Sequence, residues 1–255
     1  MCRGPQQKSV WCCSLCSSIA WLFQNRSSLL LDDVEYEVVS HPGCHRATSI
    51  SSDHMTLDPT TCDATLSNIM KHRAIPKVLL STWCTQSFQV REKSGISLLE
   101  LAQAQKGLTS CVLHGIIVQL VIALHELEQQ HQFKQYVVTL NDLMFYDTPV
   151  DFSYLGVKVE CPVTLKFSNL SRSSVVTTEG VKVDSDIPYL SSNKSTTFSD
   201  YWAAFCSAGL EDLITENTVL MKIHKVVIEN EHDPNLTDLV LKTLQEQENL
   251  EIKIN

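Results

Sequence analysis

A long stretch that is apolar on nearly every side, residues 112–127, constrains the fold more than any other feature of this sequence. Its apolar residues recur at the three- and four-residue spacing of an α-helix, and Val118, Ile122 and Ala123 make the opposite side largely apolar as well. A helix with one side in water would carry a polar stripe there. The pattern therefore predicts a central helix buried in the core. The residues at helical spacing are Val112, Leu113, Ile116, Ile117, Leu120, Val121, Leu124 and Leu127.

Three segments rich in β-branched and aromatic residues follow this helix. They are residues 136–140, 152–159 and 164–168, and the connections between them are short. Short connections place successive elements next to one another. The sequence therefore predicts an α+β domain in which a β-containing layer packs on the central helix.

The order of these elements, and the residues at several positions, resemble a known family. Residues 141–148 read Asn-Asp-Leu-Met-Phe-Tyr-Asp-Thr, an aromatic run follows at 152–155, and residues 165–173 end in Ser-Arg-Ser. This pattern is similar to the C-lobe of the protein-kinase-like proteins of large DNA viruses of the iridovirus and mimivirus kind. The resemblance is strongest over residues 133–173. It implies a protein-kinase-like fold with a helical C-lobe and a reduced, poorly recognisable N-lobe.

The positions that carry the chemistry in that family are degenerate here. The resemblance places Val137 at the catalytic-loop Asp, and an isopropyl group can neither accept a proton nor orient a hydroxyl. Asn169 stands at the Asp of the Asp-Phe-Gly motif, and a neutral amide is a poorer Mg²⁺ ligand than a carboxylate. Asp142 stands at the metal-holding Asn and could still bind a cation. The resemblance therefore leaves Asp142 as the candidate metal ligand and no candidate catalytic residue.

The features that bind a nucleotide are missing from the N-terminal part. No lysine occurs between Lys8 and Lys71, and Gly43 is the only glycine between Gly4 and Gly95. An active kinase needs a strand lysine that contacts phosphate and a glycine-rich loop that covers it. The joint loss predicts a pseudokinase that has no phosphotransfer activity and binds no cofactor.

The resemblance and the apolar spacing together divide the chain into three parts. An apolar N-terminal segment (1–30) precedes the reduced N-lobe (31–90), and the kinase-like C-lobe (91–255) follows. The same patterns predict further elements within these parts. They are strands at 34–39 and 75–83, helices at 62–70, 97–105, 199–215 and 236–250, and an apolar segment at 220–228.

Charge and the N-terminal segment bear on partners and location. The formal net charge is −9 and no Lys/Arg cluster stands out, so nucleic-acid binding through phosphates is not expected. Residues 10–23 form an apolar run after Arg3 and Lys8 that is short for a bilayer span. A buried or interfacial helix, a signal or anchor, and a disordered segment all remain open for this run. The protein is expected to be intracellular, in the host cytoplasm or the virion, with membrane association through 10–23 as an option.

Three functions are compatible with these features. The first is a binding or regulatory module with a protein partner that the sequence does not identify. The second is a residual serine/threonine kinase or nucleotide-binding protein, in which Asp142 and Asp147 replace the lost metal ligands. The third is a structural component of a virion.

Overall fold

The structure is a computed structural model that combines helices with several small β-sheets. It describes residues 29–31, 34–42, 47–57, 59–83, 86–93, 95–104, 108–185 and 195–254. The helices are α1 (Pro59–Met70), α2 (Leu98–Ala104), α3 (Ser110–His131), α4 (Thr197–Ser207), α5 (Glu211–Thr215), α6 (Thr218–Glu229) and α7 (Leu236–Ile254). The strands are β1 (Leu29–Leu31), β2 (Val34–Pro42), β3 (Ala47–Ile50), β4 (His54–Leu57), β5 (Val78–Trp83), β6 (Gln86–Glu92), β7 (Ile96–Ser97), β8 (Lys134–Gln135), β9 (Leu143–Tyr146), β10 (Val150–Tyr154), β11 (Val157–Cys161), β12 (Thr164–Phe167), β13 (Ser173–Val176) and β14 (Lys182–Ser185).

Helix α3 is the centre of the core and confirms the helix predicted at 112–127. It extends beyond both predicted ends because each end is capped: the Thr109 hydroxyl accepts the Val112 N–H at 3.3 Å, and Gln132 closes the last turn with φ of 47°. By length and composition α3 could cross a membrane, but most of it is buried inside the domain. It packs against β11, β12, α4, α5 and α7, which explains why no polar stripe is needed.

The strands form four separate sheets in the described part of the chain. A four-stranded antiparallel sheet has the order β1-β2-β6-β5, and a three-stranded antiparallel sheet has the order β12-β9-β7. Strands β10 and β11 form an antiparallel hairpin. The remaining sheet has the order β3-β4-β14-β13-β8, in which β14 runs parallel to β4. Helix α1 lies between the first and last of these sheets, because it contacts both β5 and β14.

Two of the predicted β segments differ from the structure. Residues 136–140 are not a strand. The short strand β8 ends before them, at Gln135, and the chain then turns into a 3₁₀ helix at Leu140–Asp142. The segment 152–159 is the hairpin of β10 and β11, because Leu155 and Gly156 adopt positive φ of 46° and 86° and reverse the chain. The strand at 164–168 is confirmed as β12.

The C-terminal helices lie close to where the sequence places them. The helix predicted at 199–215 is two helices, α4 and α5, because Gly209 adopts φ of 76° between them. The apolar segment at 220–228 is α6, and the helix at 236–250 is α7. Helices α1 and α2 confirm the predictions at 62–70 and 97–105, whereas residues 105–107 lie outside the described residues. The N-terminal prediction for 10–23 also lies outside them.

Candidate functional site

The turn between β8 and β9 holds Asp142 through its own backbone. One carboxylate oxygen, Oδ2, accepts the Thr139 N–H at 2.8 Å and the Thr139 hydroxyl at 3.1 Å. The Asp142 N–H donates to the Thr139 carbonyl at 2.9 Å, which is the main-chain bond of the 3₁₀ turn, and the Asp142 carboxylate reaching back to the Thr139 N–H forms part of a capping box. Only 4% of Asp142 is exposed. The carboxylate is therefore part of the turn and is turned away from solvent.

Asn169 lies beside this turn, so the two positions that the resemblance aligns with metal ligands are neighbours. The Ser168 N–H donates to the Asp142 carbonyl at 2.9 Å, and the Asn169 side chain forms a hydrogen bond to the Asp142 carboxylate. The Asn169 amide oxygen accepts the Ser171 N–H at 3.3 Å. These contacts pair the end of β12 with the 3₁₀ helix and use both polar groups internally.

The environment of Asp142 opposes ionisation. Burial raises the pKa of the Asp142 carboxyl, and the bonds from Thr139 and Asn169 and the charge of Arg172 only partly offset it. A carboxylate that binds a divalent cation needs oxygens free to face the ion and further acidic ligands nearby. Among the described residues, no group of three or more His, Cys, Asp or Glu side chains is placed to hold a metal. Asp142 as a cation ligand therefore stays a prediction.

Gln135 and Tyr201 connect the turn of Asp142 to the core through hydrogen bonds. Neither of them was predicted as a site residue from the sequence. The Tyr201 hydroxyl donates to the Gln135 side-chain oxygen at 2.9 Å, and the Gln135 amide donates to the Asn169 carbonyl at 3.4 Å. The Gln135 N–H donates to the Thr197 hydroxyl at 3.1 Å. Tyr201 is fully buried on α4, so this network fixes the turn to the core.

Val137 occupies the aligned position of the catalytic Asp without any acid–base capacity. Its side chain is half-buried, and it is the adjacent Val138 that packs against the hydrophobic core. An aliphatic side chain cannot take the proton of a hydroxyl nucleophile. Val137 is thus partly buried, and its packing by apolar neighbours in a former catalytic cleft stays a prediction.

Asp63 of α1 binds the chain directly after Asn169. Its carboxylate accepts the Leu170 N–H at 2.7 Å across a separation of 107 residues. Burial raises the pKa of Asp63, with the Leu170 bond and the charge of Arg91 acting in the opposite direction. No local spacing in the sequence links Asp63 to Leu170. The partner of Asp63 is visible only in three dimensions.

We expect the Asp63→Asn variant to be more stable than the native protein at pH 7, with a melting temperature higher by a few degrees. The amide oxygen can still accept the Leu170 N–H, and no buried charge remains. Because the pKa of the Asp63 carboxyl is raised, its contribution to stability is complete below the ordinary aspartate value of 3.8 and is lost as pH rises through the folded pKa. The advantage should therefore vanish in thermal melts near pH 3 to 4. A variant that melts lower than the native protein at pH 7 would contradict this assignment.

A buried ion pair connects β6 to β12 at the edge of the same site. The Lys166 ammonium contacts the Glu92 carboxylate, and these side chains are 14% and 7% exposed. The other Glu92 oxygen accepts the Lys77 N–H at 3.1 Å, and the Lys166 ammonium lies 5.1 Å from the centre of the Tyr146 ring. Each group of the pair therefore has a further partner, which a buried pair needs in order to be stable.

The space between α1, β6 and β12 is almost filled. The cavity there, bordered by Val78, Glu92, Phe167 and Leu170, has a volume of about 10 Å³. A single water molecule needs about 10–15 Å³ by the same measure. Sites for nucleotide-sized ligands have about 300–1,000 Å³. This space therefore has no room for such a ligand in the observed arrangement.

Comparisons with known proteins identify no family. No family model matches the sequence, and no curated protein matches it. Among solved structures, the chain is similar to one titled "Crystal structure of Rad53 kinase domain and SCD2", at 14% identity and a TM-score of 0.38. The match covers 60% of this chain and 54% of that one, so the chain spans about half the length of that structure. A TM-score this low does not establish a shared fold. The fold and the site define a mixed α and β protein in which the carboxylates of Asp142, Asp63 and Glu92 are used in internal contacts.

Proposed function

We propose that this protein is a kinase-like module without phosphotransfer activity that acts by binding a protein partner. The observation that carries the proposal is the burial of Asp142, which is 4% exposed and whose carboxylate accepts hydrogen bonds from the Thr139 N–H and hydroxyl. This is the acidic side chain at the site that the resemblance would use to hold a cation. It stabilises the turn, which leaves the phosphates of a nucleotide without a metal ligand.

The surroundings of Asp142 support the same proposal. The Val137 side chain cannot act as a base, and the amide oxygen of Asn169 already accepts a hydrogen bond from the Ser171 N–H. Glu92 and Lys166 close the space between β6 and β12 by pairing with each other. Since catalysis of phosphoryl transfer rests on positioning and charge stabilisation, a site in which Asp142, Glu92 and Lys166 are already bound to other groups supplies little of either. The viral origin and the intracellular location rest on the sequence resemblance alone.

The test is a thermal melt of the intact protein with millimolar ATP or ADP and Mg²⁺. A ligand that binds at tens of micromolar would raise the melting temperature measurably under these conditions through mass action. We expect no shift with either nucleotide, and no transfer of the γ-phosphate above background. A shift or a transfer that is lost in the Asp142→Asn variant would overturn the proposal in favour of a residual kinase.

The binding role has its own experiment. The protein would be captured from infected cells by chemical cross-linking, and the partner identified and quantified by mass spectrometry. We expect one partner at a reproducible ratio to this protein that is retained when the purified components are mixed. Stoichiometric amounts in purified particles, together with no retained partner in cell extract, would instead indicate a structural component of the virion.

A further inference from the structure

A polar pocket of about 670 Å³ lies where the end of α3 meets the starts of α4 and α7, and the proposed function does not use it. We call it the α3–α7 pocket. Its volume falls within the range of about 300–1,000 Å³ that is typical of small-molecule sites. Two carboxylates line it, those of Glu128 on α3 and Asp238 on α7. Hydroxyl and amide side chains form most of the remaining wall, and they belong to Gln129, Gln132, Ser195, Thr196, Thr197 and Asn235.

The Glu128 carboxylate is the charged group of this pocket that lacks a counter-charge. Its Oε1 accepts the Thr237 hydroxyl at 3.3 Å, which is a long bond from a neutral donor. Burial raises the pKa of the Glu128 carboxyl to about 7, and the like charge of Asp238 adds to this rise, whereas the Thr237 bond acts in the opposite direction. Part of Glu128 remains exposed where it lines the pocket, so a ligand can reach it.

The other charged groups that line the α3–α7 pocket have partners elsewhere. Asp238 accepts a hydrogen bond from His125 Nε2 at 3.1 Å, and its side chain is 37% exposed. The Lys134 ammonium lies 5.4 Å from the centre of the Tyr136 ring, and its charge acts on the Asp200 carboxyl. Among the described residues, the wall therefore carries two carboxylates against one ammonium that is engaged with other groups.

We propose that the α3–α7 pocket binds a small organic cation whose guanidinium or ammonium group pairs with the Glu128 carboxylate. Such a cation supplies the counter-charge that Glu128 lacks, and the carbonyl end of α3 beside it carries a partial negative charge that acts in the same direction. The hydroxyl and amide oxygens of the wall can accept the remaining N–H groups of the ligand. A metal ion does not fit, because within the described ranges no three His, Cys, Asp or Glu side chains are placed to hold one. The proposal does not depend on whether the protein binds nucleotides or partners.

The test compares butylguanidinium with butylurea, a neutral molecule of nearly the same shape, in ligand-observed NMR titrations of the intact protein. We expect butylguanidinium to bind and butylurea to bind at least about tenfold more weakly, because only the cation forms charge-assisted hydrogen bonds to a carboxylate. Butanoate, an anion of similar length, should not bind, because the pocket offers it two like charges.

The affinity for butylguanidinium should also depend on pH. A guanidinium group keeps its charge throughout the range used, so a change in affinity reports a group of the protein. Glu128 must lose its proton to pair with the cation, and with a pKa of about 7 it does so between about pH 6 and about pH 8. Binding should therefore tighten about tenfold over this range.

The Glu128→Gln variant assigns both effects to one carboxylate. The amide oxygen still accepts the Thr237 hydroxyl, and the variant leaves Asp238, His125 and Lys134 in place. We expect it to lose both the preference for butylguanidinium over butylurea and the pH dependence.

Two lysine variants locate the binding and decide the question if Glu128→Gln fails to fold. Gln129 and Gln130 are neighbours on α3 and both are exposed, but of the two only Gln129 lines the pocket. Gln129→Lys places a competing ammonium in the pocket and should weaken butylguanidinium binding at least about tenfold, whereas Gln130→Lys should change it less than about threefold. Failure of butylguanidinium to bind the native protein, equal affinity for butylurea or butanoate, an affinity that does not change with pH, or equal effects of the two lysine variants would each overturn the proposal.

Discussion

Replacement of Lys166 by Met will destabilise the protein by about 3–5 kcal/mol, because it leaves the Glu92 carboxylate buried without its cation. The Glu92 side chain is 7% exposed. Besides the Lys166 ammonium, its carboxylate accepts a hydrogen bond from the Lys77 N–H at 3.1 Å, which is a neutral donor and does not replace the lost charge. Urea unfolding, monitored by far-UV circular dichroism, measures the loss as a shift of the midpoint at an unchanged slope.

Two controls separate the buried pair from a general effect of losing a lysine. Lys158→Met breaks the pair with Glu160, whose side chains are 55% and 73% exposed, and should change the stability by less than about 1 kcal/mol. The double variant Glu92→Gln with Lys166→Met removes both charges and keeps an acceptor for the Lys77 N–H, so it should recover most of the loss. If Lys166→Met costs no more than Lys158→Met, the pair does not hold β6 to β12.

Replacement of Gly95 by Ala will cost about 3 kcal/mol, because the added methyl group has no space. A Cβ at this position would lie 1.8 Å from the Phe145 carbonyl oxygen and 2.6 Å from its carbon, and both are main-chain atoms of β9. Main-chain atoms in a paired strand cannot rotate away as a side chain can. The pairing of Ile96 with Phe145 must therefore open for the variant to fold.

Gly180→Ala is the matched control for this variant. It places the same methyl group where nothing lies within 4 Å, at φ of 82°, so only the backbone strain of about 1–2 kcal/mol remains. Both variants are measured by urea unfolding under the same conditions. Equal losses at the two sites would mean that β7 and β9 are not as close as the structure shows.

Several local features were readable from the sequence because their causes are local. The apolar spacing of 112–127 predicts α3, and the only correction concerns its ends, which depend on caps at Thr109 and Gln132. Thr139 and Asp142 stand at the spacing of a capping box, so the 3₁₀ turn could have been found in place of a strand. Gly156 and Gly209 likewise mark the two places where a continuous element was predicted and the chain instead turns.

The sequence by itself determined the central helix and strand β12, and the resemblance led us to expect Asp142 and Asn169 close together. Only the tertiary structure decided what these residues do. Asp63 meets Leu170 across 107 positions and Lys166 meets Glu92 across 74, and no local spacing encodes either contact. The physical reason is desolvation: whether a carboxylate binds an ion, caps a turn or pairs with a lysine depends on which groups replace its water, and folding alone brings those groups together.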